Sequence, residues 1–147
     1  MGITNSIDKI LDYAISREIQ AHDFYSEWAT RVDNPQIQKV LKEFATDELE
    51  HRLKLEAVKA GTVKLKPEEI GSLDLADTVE DIKPRKDMVY VEVLVLAMKK
   101  EKTAFKFYTK LAGMALEQNS KEMFSLLAQQ EANHKLRFEI EYDLTMF

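Results

Sequence analysis

Two short motifs contain residues of the types that bind transition-metal ions. Glu48 and His51 form a Glu-x-x-His pattern, and Glu131 and His134 repeat it. On a helix, side chains three residues apart project from one face, so a Glu and a His at this spacing can chelate a single ion. Because two of only three histidines end such a motif, the pair of motifs indicates a metal site more strongly than either copy alone.

The motifs are parts of an internal repeat with an offset of 83 residues. At this offset Glu18 falls on Glu101, and Tyr25 falls on Tyr108. A unit with its polar groups in the same places therefore occurs twice in the chain. Glu18 and Glu101 each interrupt an apolar stripe, at a position where a helix would ordinarily carry a leucine.

Helices must position these groups. Apolar residues recur at helical spacing in four segments, which predicts helices over about 6–32, 35–60, 87–116 and 119–147. In the third helix, the predicted interior stripe includes Phe105, Tyr108 and Leu111. The expected capping residues are Asn5 or Ser6 for the first helix, Asn34, Pro35 and Gly61 for the second, and Asn119 with Glu122 for the fourth.

The lengths of the connections predict the topology. The break at 33–35 is short enough to make the first two helices antiparallel neighbours, which brings Glu18 level with Glu48. Residues 62–85 are too many for a simple link and predict a crossover along a bundle, with a short helical piece over 74–81 as an option. The predicted fold is all-α: one domain over 1–147, a four-helix bundle of two antiparallel hairpins joined by that long crossover between helices 2 and 3.

Composition narrows the classes of function. The net charge of −5 argues against a nucleic-acid-binding protein, and the sequence has no run of about 18 apolar residues that could span a membrane. The absence of cysteine excludes disulfides, thiolate iron sites and cysteine nucleophiles within these residues. No secretory signal is visible, so we expect a cytoplasmic protein.

The predicted bundle points six polar side chains inward: Glu18, Glu48, His51, Glu101, Glu131 and His134. Ionised carboxylates in an apolar core would each cost several kcal/mol if uncompensated, so they must share protons or bind metal. Two divalent ions would balance the charge of the carboxylates, and carboxylate with imidazole suits iron or manganese, with zinc also possible. The competing interpretation is that one Glu-x-x-His motif faces solvent.

Other polar residues near these positions are open to two interpretations. Tyr25 and Tyr108 each follow a predicted ligand by seven residues, and either hydrogen-bond a ligand carboxylate or reach a backbone carbonyl or water. Asp47 could orient His134 and fix its tautomer. We interpret His22, one turn after the first predicted glutamate, as a core or cavity histidine rather than a ligand.

One set of residues is shared with a known family: Glu18, Phe24-Tyr25, Glu48 with His51, Glu101, Phe107-Tyr108 and Glu131 with His134. With them the chain resembles the ferritin-like superfamily, in particular its rubrerythrin branch, and its ligand set is similar to that of bacterioferritin. The resemblance covers the whole chain. It implies a ferritin-like bundle with two iron ions bound by the six inward side chains, and Glu48 and Glu131 as carboxylates shared between the ions.

The chain also departs from these relatives. It has no cysteine-rich rubredoxin segment, so we expect electrons from a separate donor such as a rubredoxin or a flavoprotein. Ala104 stands where rubrerythrins carry an additional glutamate, one turn after the ligand of the third helix. Leu49 occupies the position at which bacterioferritins carry their haem-binding methionine. We expect no fifth helix, and therefore no storage of iron in a cage.

The resemblance thus implies a non-haem di-iron oxidoreductase, with manganese as the alternative metal, that reduces peroxide or dioxygen. It also implies a homodimer, by analogy with the family. Two other functions stay open. One is a ferroxidase or iron-binding module without cage storage, and the other is a non-catalytic bundle with a structural metal.

Overall fold

Four long helices, paired in two units, carry the predicted ligands. The computed structural model describes residues 3–61, 64–65 and 88–147, and the side chains from residue 7 onward within them. The chain divides into two compact units, Met1–Val63 and Lys64–Phe147, and each unit holds one pair of helices. The single domain over the whole chain stays a prediction.

In the first unit, α1 spans Ile3–Arg31 and α2 spans Pro35–Ala60. The prediction of Asn5 or Ser6 as the N-cap is wrong, because both lie inside α1. Ile3 and Thr4 are compatible with a helix, so α1 includes the two residues that precede Asn5.

The predicted ends of α2 are confirmed by its hydrogen bonds. The Asn34 side chain accepts from the backbone N–H of Gln36 at 2.9 Å and of Ile37 at 3.3 Å, and Pro35 occupies the first helical position. At the other end, the Gly61 N–H donates to the Val58 carbonyl at 3.1 Å. These caps fix where along the chain α2 begins and ends, and therefore the position of its Glu-x-x-His motif.

The two helices of this unit are antiparallel, as the short turn predicts. Close to the turn, the Gln38 amide donates to the Val32 carbonyl at 2.7 Å. Toward the opposite ends of the helices, Lys59 pairs with Asp12. The start of α2 thus contacts the end of α1, and the end of α2 contacts the first half of α1. This pairing defines an antiparallel hairpin.

In the second unit, α3 spans Tyr90–Met114 and α4 spans Gln118–Met146. The predicted end of α3 is two residues too late, because Ala115 leaves the helix to form an antiparallel bridge with Leu65. Beside this bridge the Leu116 N–H donates to the Lys64 carbonyl at 3.0 Å. Backbone groups that pair with an extended segment cannot also continue a helix.

The N-terminus of α4 differs from the prediction. The helix begins after Glu117, and Asn119 lies inside it, so the predicted capping box with Glu122 is wrong. The Glu122 carboxylate instead accepts from the Gln118 side-chain amide at 3.1 Å, within the first turn. The prediction that α4 reaches nearly to Phe147 is confirmed.

Burial confirms most of the predicted apolar stripes, with one clear error. Phe105 is 38% exposed, whereas Tyr108 and Leu111 are buried as predicted. The buried face of α3 includes Phe107 and Met114. Phe105 lies at the other edge of this face and is therefore partly exposed to solvent.

Two predictions concern residues outside the described ranges. The crossover over 62–85 and its short helical piece over 74–81 fall there, apart from the bridge residue Leu65 and its neighbour Lys64. The start predicted for the third helix at Asp87 also lies outside; the observed helix begins at Tyr90. Among the described helices, none has a segment apolar enough, over sufficient length, to cross a bilayer.

Candidate metal centre

The first unit brings Glu18 of α1 together with Glu48 and His51 of α2; we call these three residues the first triad. The His51 Nδ1 atom lies 3.5 Å from Glu18 Oε2 and 3.5 Å from Glu48 Oε1. One possible donor atom from each residue lies within 4.8 Å of the others, and all three residues are buried. The predicted level placement of Glu18 and Glu48 is therefore confirmed.

A hydrogen bond one turn away helps to keep Glu18 of α1 level with Glu48 of α2. The His22 ring Nδ1 lies 2.9 Å from the Ala45 carbonyl oxygen. Because a carbonyl only accepts, this contact assigns the proton to Nδ1. The half-buried His22 thus has the structural role that we expected of it. Its partner could not be predicted, since the acceptor is a backbone oxygen of another helix.

The second unit repeats this arrangement with Glu101 of α3 and Glu131 and His134 of α4, which we call the second triad. The His134 Nδ1 atom lies 3.4 Å from Glu101 Oε1 and 3.9 Å from Glu131 Oε1. Possible donor atoms of the three residues again lie within 4.8 Å of one another, and the residues are 3% exposed or less. The repeat seen in the sequence therefore extends to the arrangement of the side chains.

Both triads have the chemistry and spacing of a metal site. Carboxylate oxygens and imidazole nitrogens bind first-row metal ions at about 2.0–2.2 Å, which places neighbouring ligand atoms about 3.0–3.4 Å apart. The closest Nδ1–oxygen distances, 3.5 Å in the first triad and 3.4 Å in the second, come near that spacing. Small rotations of the side chains would bring all three donors onto one ion. The buried donor set of each unit therefore fits a metal ion.

The two tyrosines of the repeat are among the most buried side chains, with 0% exposure for Tyr25 and 1% for Tyr108. Each packs edge-on against the phenylalanine that precedes it, with ring centroids 5.5 Å apart for Phe24–Tyr25 and 5.5 Å for Phe107–Tyr108. This confirms their interior positions. Their hydrogen bonds to ligand carboxylates stay a prediction.

Three further residues singled out in the sequence lie near the two triads along α2 and α3. Ala104 lies half-buried on α3, one turn after Glu101, where its methyl group supplies no donor atom. Leu49, beside Glu48 on α2, is 38% exposed. Asp47 is half-buried on α2, and its role toward His134 stays a prediction.

A titratable group at the start of α3 has a shifted pKa. Burial raises the pKa of Tyr90 to about 12, the nearby Glu141 carboxylate adds to this, and Arg137 opposes it. The phenol therefore stays neutral across the physiological range, and it contributes no charge to the second unit.

Comparison with known proteins agrees with this geometry. A model of the rubrerythrin family matches residues 9–142. A solved structure, a hypothetical protein from Pyrococcus furiosus, aligns over 93% of this chain and 88% of its own with a TM-score of 0.72 and 21% identity. At that identity the likeness shows the fold alone, an all-α four-helix bundle. No curated protein matches the chain.

The family match includes all six residues of the two triads and both tyrosines. It spans most of the chain, and the buried carboxylate and histidine groups agree with it. This chain therefore belongs to the rubrerythrin family.

Proposed function

We propose that this protein binds two iron ions and reduces peroxide or dioxygen with electrons from a separate donor. One observation carries the proposal: a triad of two carboxylates and one imidazole, buried and with donor atoms within 4.8 Å of one another, occurs in each unit. Carboxylates and imidazoles are suitable ligands for a transition metal. Without a metal, apolar residues would fill the same positions with a smaller desolvation cost.

In this proposal each triad supplies one ion with two carboxylates and one imidazole. The carboxylates of Glu18, Glu48, Glu101 and Glu131 carry four negative charges, which two divalent ions balance. Following the family resemblance, Glu48 and Glu131 are the carboxylates that the two ions share. Hard oxygen ligands with imidazole favour iron or manganese, and zinc is the redox-inert ion that would fit.

Bound iron would supply the change of oxidation state that the protein side chains lack. The chain itself supplies the binding groups, the exclusion of bulk water by burial, and the orientation of the imidazole rings. We propose that Tyr25 and Tyr108 donate hydrogen bonds to ligand carboxylates, which would hold the carboxylates in place and complete the apolar cover. The reduction of one hydrogen peroxide to two waters takes up two electrons and two protons.

The electrons must reach the site from another molecule. No cysteine occurs among the 147 residues, so these residues cannot form the thiolate iron site that serves as an internal donor in rubrerythrins with a rubredoxin segment. We propose a rubredoxin or a flavoprotein as the donor, and a cytoplasmic location, where reduced carriers of this kind are available. The homodimer implied by the family is part of the same proposal.

Metal analysis tests the site first. Protein loaded with ferrous iron without oxygen and then desalted should retain about two iron ions per chain, and Glu131→Ala should retain at most about one. Glu122→Ala, an exposed glutamate on the same helix, is the matched control and should retain two. Equal iron in all three proteins would contradict the assignment of the triads.

Reaction with peroxide tests the activity. The loaded protein should develop the near-ultraviolet absorption of an oxidised di-iron centre and should consume peroxide repeatedly when a chemical reductant is present. Absence of both the absorption band and peroxide consumption would contradict the proposal. Retained metal without turnover would then indicate a structural metal.

The ferroxidase alternative is favoured by one observation, the methyl group of Ala104 where a further carboxylate donor would lie. It predicts that each chain oxidises many ferrous ions and that large particles appear in light scattering. A reaction that stops at two irons in a small assembly would exclude this alternative.

A further inference from the structure

An open groove lies between α3 and α4 of the second unit, with a volume of about 360 Å³. We call it the α3–α4 groove. Its apolar floor includes Phe105, which is 38% exposed, and Leu136, which is 56% exposed. Its rim consists of Lys102, Lys106, Lys135 and Glu139.

The groove is basic, although the chain as a whole carries a net charge of −5. Lys135 and Glu139 pair with each other, which leaves Lys102 and Lys106 as the excess positive charge. Both are exposed, and within the described residues neither forms an ion pair. Exposed aromatic and aliphatic side chains inside a ring of lysines form a surface that complements an acidic protein.

The apolar floor continues beyond the groove along α4. Ile140 is 46% exposed and Leu144 is 71% exposed, and with Leu136 they follow a four-residue spacing. The resulting apolar stripe is about 12 Å long. Its length and its exposure suit a protein partner better than a small anion.

The groove is formed by the same two helices as the second triad. Lys102 follows Glu101 in α3, Ala132 follows Glu131 in α4, and Lys135 follows His134. Successive residues of a helix project about 100° apart. The groove and the triad therefore lie on different faces of the same two helices.

We propose that the α3–α4 groove is the docking site of a small acidic electron-carrier protein. This inference rests on the proposed function. Each docked carrier is oxidised by one electron, and two encounters deliver the two electrons that the reduction of one peroxide to two waters consumes. In a symmetric contact, residue i of one copy meets residue j of the other, so a second copy of this chain is the alternative occupant, and the oligomeric state tests it.

Binding measurements test the docking site with an oxidised rubredoxin of net negative charge as the probe. Calorimetry at low salt should detect binding to the iron-loaded protein, and the affinity should fall as salt is added. The double substitution Lys102→Glu and Lys106→Glu should weaken binding by about tenfold or more. The double substitution Lys42→Glu and Lys121→Glu changes the net charge equally at exposed positions outside the groove, and should weaken it by less than about threefold.

The apolar floor is tested separately with Phe105→Ser and Leu136→Ser together. Both side chains are exposed, so the melting temperature should change little while the affinity falls. Failure of the wild-type protein to bind the probe, or an equal loss in the groove and control variants, would overturn the proposal. A change of oligomeric state in the groove variant would overturn it too, because the groove would then be an interface between copies.

Reduction kinetics separate failure of docking from failure of the proposed function. Reduced rubredoxin should reduce the oxidised iron-loaded protein about tenfold more slowly in the lysine groove variant than in the wild type. Dithionite, which needs no docking site, should reduce both at similar rates. If dithionite reduces the iron but rubredoxin does so equally well in both proteins, the docking site is wrong. If neither reductant changes the iron while rubredoxin still binds, the proposed function is wrong.

Discussion

A carboxylate inside a helix pair loses most of its hydration, and an opposite charge must compensate for that loss. Among the described residues, four glutamates are buried, and each belongs to one of the two triads. The histidine of each triad contributes at most one positive charge, which leaves an excess of negative charge. Bound cations remove this excess, so metal binding and the stability of the fold should be coupled.

Glu101→Gln tests this coupling at a single residue. Without metal, the substitution removes one buried negative charge at constant shape, so the free energy of unfolding should stay equal or rise by about 1 kcal/mol. With zinc, the stabilisation by metal should fall by about 1.4 kcal/mol for each tenfold loss of affinity. Urea unfolding with zinc or with a chelator measures both quantities.

The control for this experiment is Glu43→Gln, an exposed glutamate of α2. It should change neither the stability without metal nor the stabilisation by zinc by more than about 0.5 kcal/mol. A loss of stability in metal-free Glu101→Gln, with an unchanged response to zinc, would mean that Glu101 is a structural group rather than a ligand.

Tyr90 should make the second unit sensitive to alkaline pH. Burial raises the pKa of its phenol to about 12 in the folded protein, from an ordinary value of 10.0. Between these values the unfolded chain loses the proton first, so the group favours unfolding increasingly as the pH rises from 10 toward 12. Below pH 10 the phenol is neutral in both states and has no such effect.

Tyr90→Phe removes this titration. Because the phenol is only half-buried, solvent screening limits the effect to about 1 kcal/mol. The difference in unfolding free energy between the variant and the wild type should therefore shift in favour of the variant between pH 10 and 12. Chemical denaturation at several pH values measures this difference, and a constant difference over that range would contradict the assigned cause.

At the scale of the helices, the caps of α2 determine where its motif lies. The Asn34 side chain accepts two backbone N–H groups at the start of the helix, and Glu48 and His51 follow about four turns later. Asn34→Ala should cost about 1 kcal/mol of unfolding free energy. Gln36→Ala, exposed in the same turn, is the control and should cost less than about 0.5 kcal/mol. Thermal unfolding of the two variants would show whether the cap has this effect.

The two ends of α2 could be predicted because their signals are local. Asn34 and Pro35 start the helix, and Gly61 closes it, each through contacts within a few residues. The end of α3 could not be predicted in this way. Ala115 leaves the helix because it pairs with Leu65, which lies about 50 positions earlier in the chain, and no local pattern reveals such a pairing.

The predicted site follows the same distinction. Glu18, Glu48 and His51 could be identified because a polar residue in an apolar stripe stands out, and the 83-residue repeat supplied an independent copy. The hydrogen-bond acceptor of His22 could not be identified, because every residue has a backbone carbonyl and nothing in the sequence distinguishes that of Ala45. The exposure of Phe105 was missed because an apolar residue at the edge of a stripe can face either the core or a partner.

At the scale of the whole molecule, the fold is shared with a protein whose sequence differs widely. The solved structure from Pyrococcus furiosus is 21% identical over 93% of this chain. A four-helix bundle can carry many functions, so the fold does not establish the activity. What the chain adds is a polar triad in each of its two units, in place of the leucines that a purely structural helix pair would contain.

The proposal that the two triads bind metal as one centre predicts coupling between them. His51→Ala and His134→Ala each remove one imidazole and should each lower the stabilisation by zinc. If the ions share carboxylates, the first substitution already disturbs the second ion, and the double variant should lose less than the sum of the two single losses by about 1 kcal/mol or more. Zinc-dependent unfolding of the four proteins in this cycle measures the difference. Strictly additive losses would mean that the triads bind two independent ions.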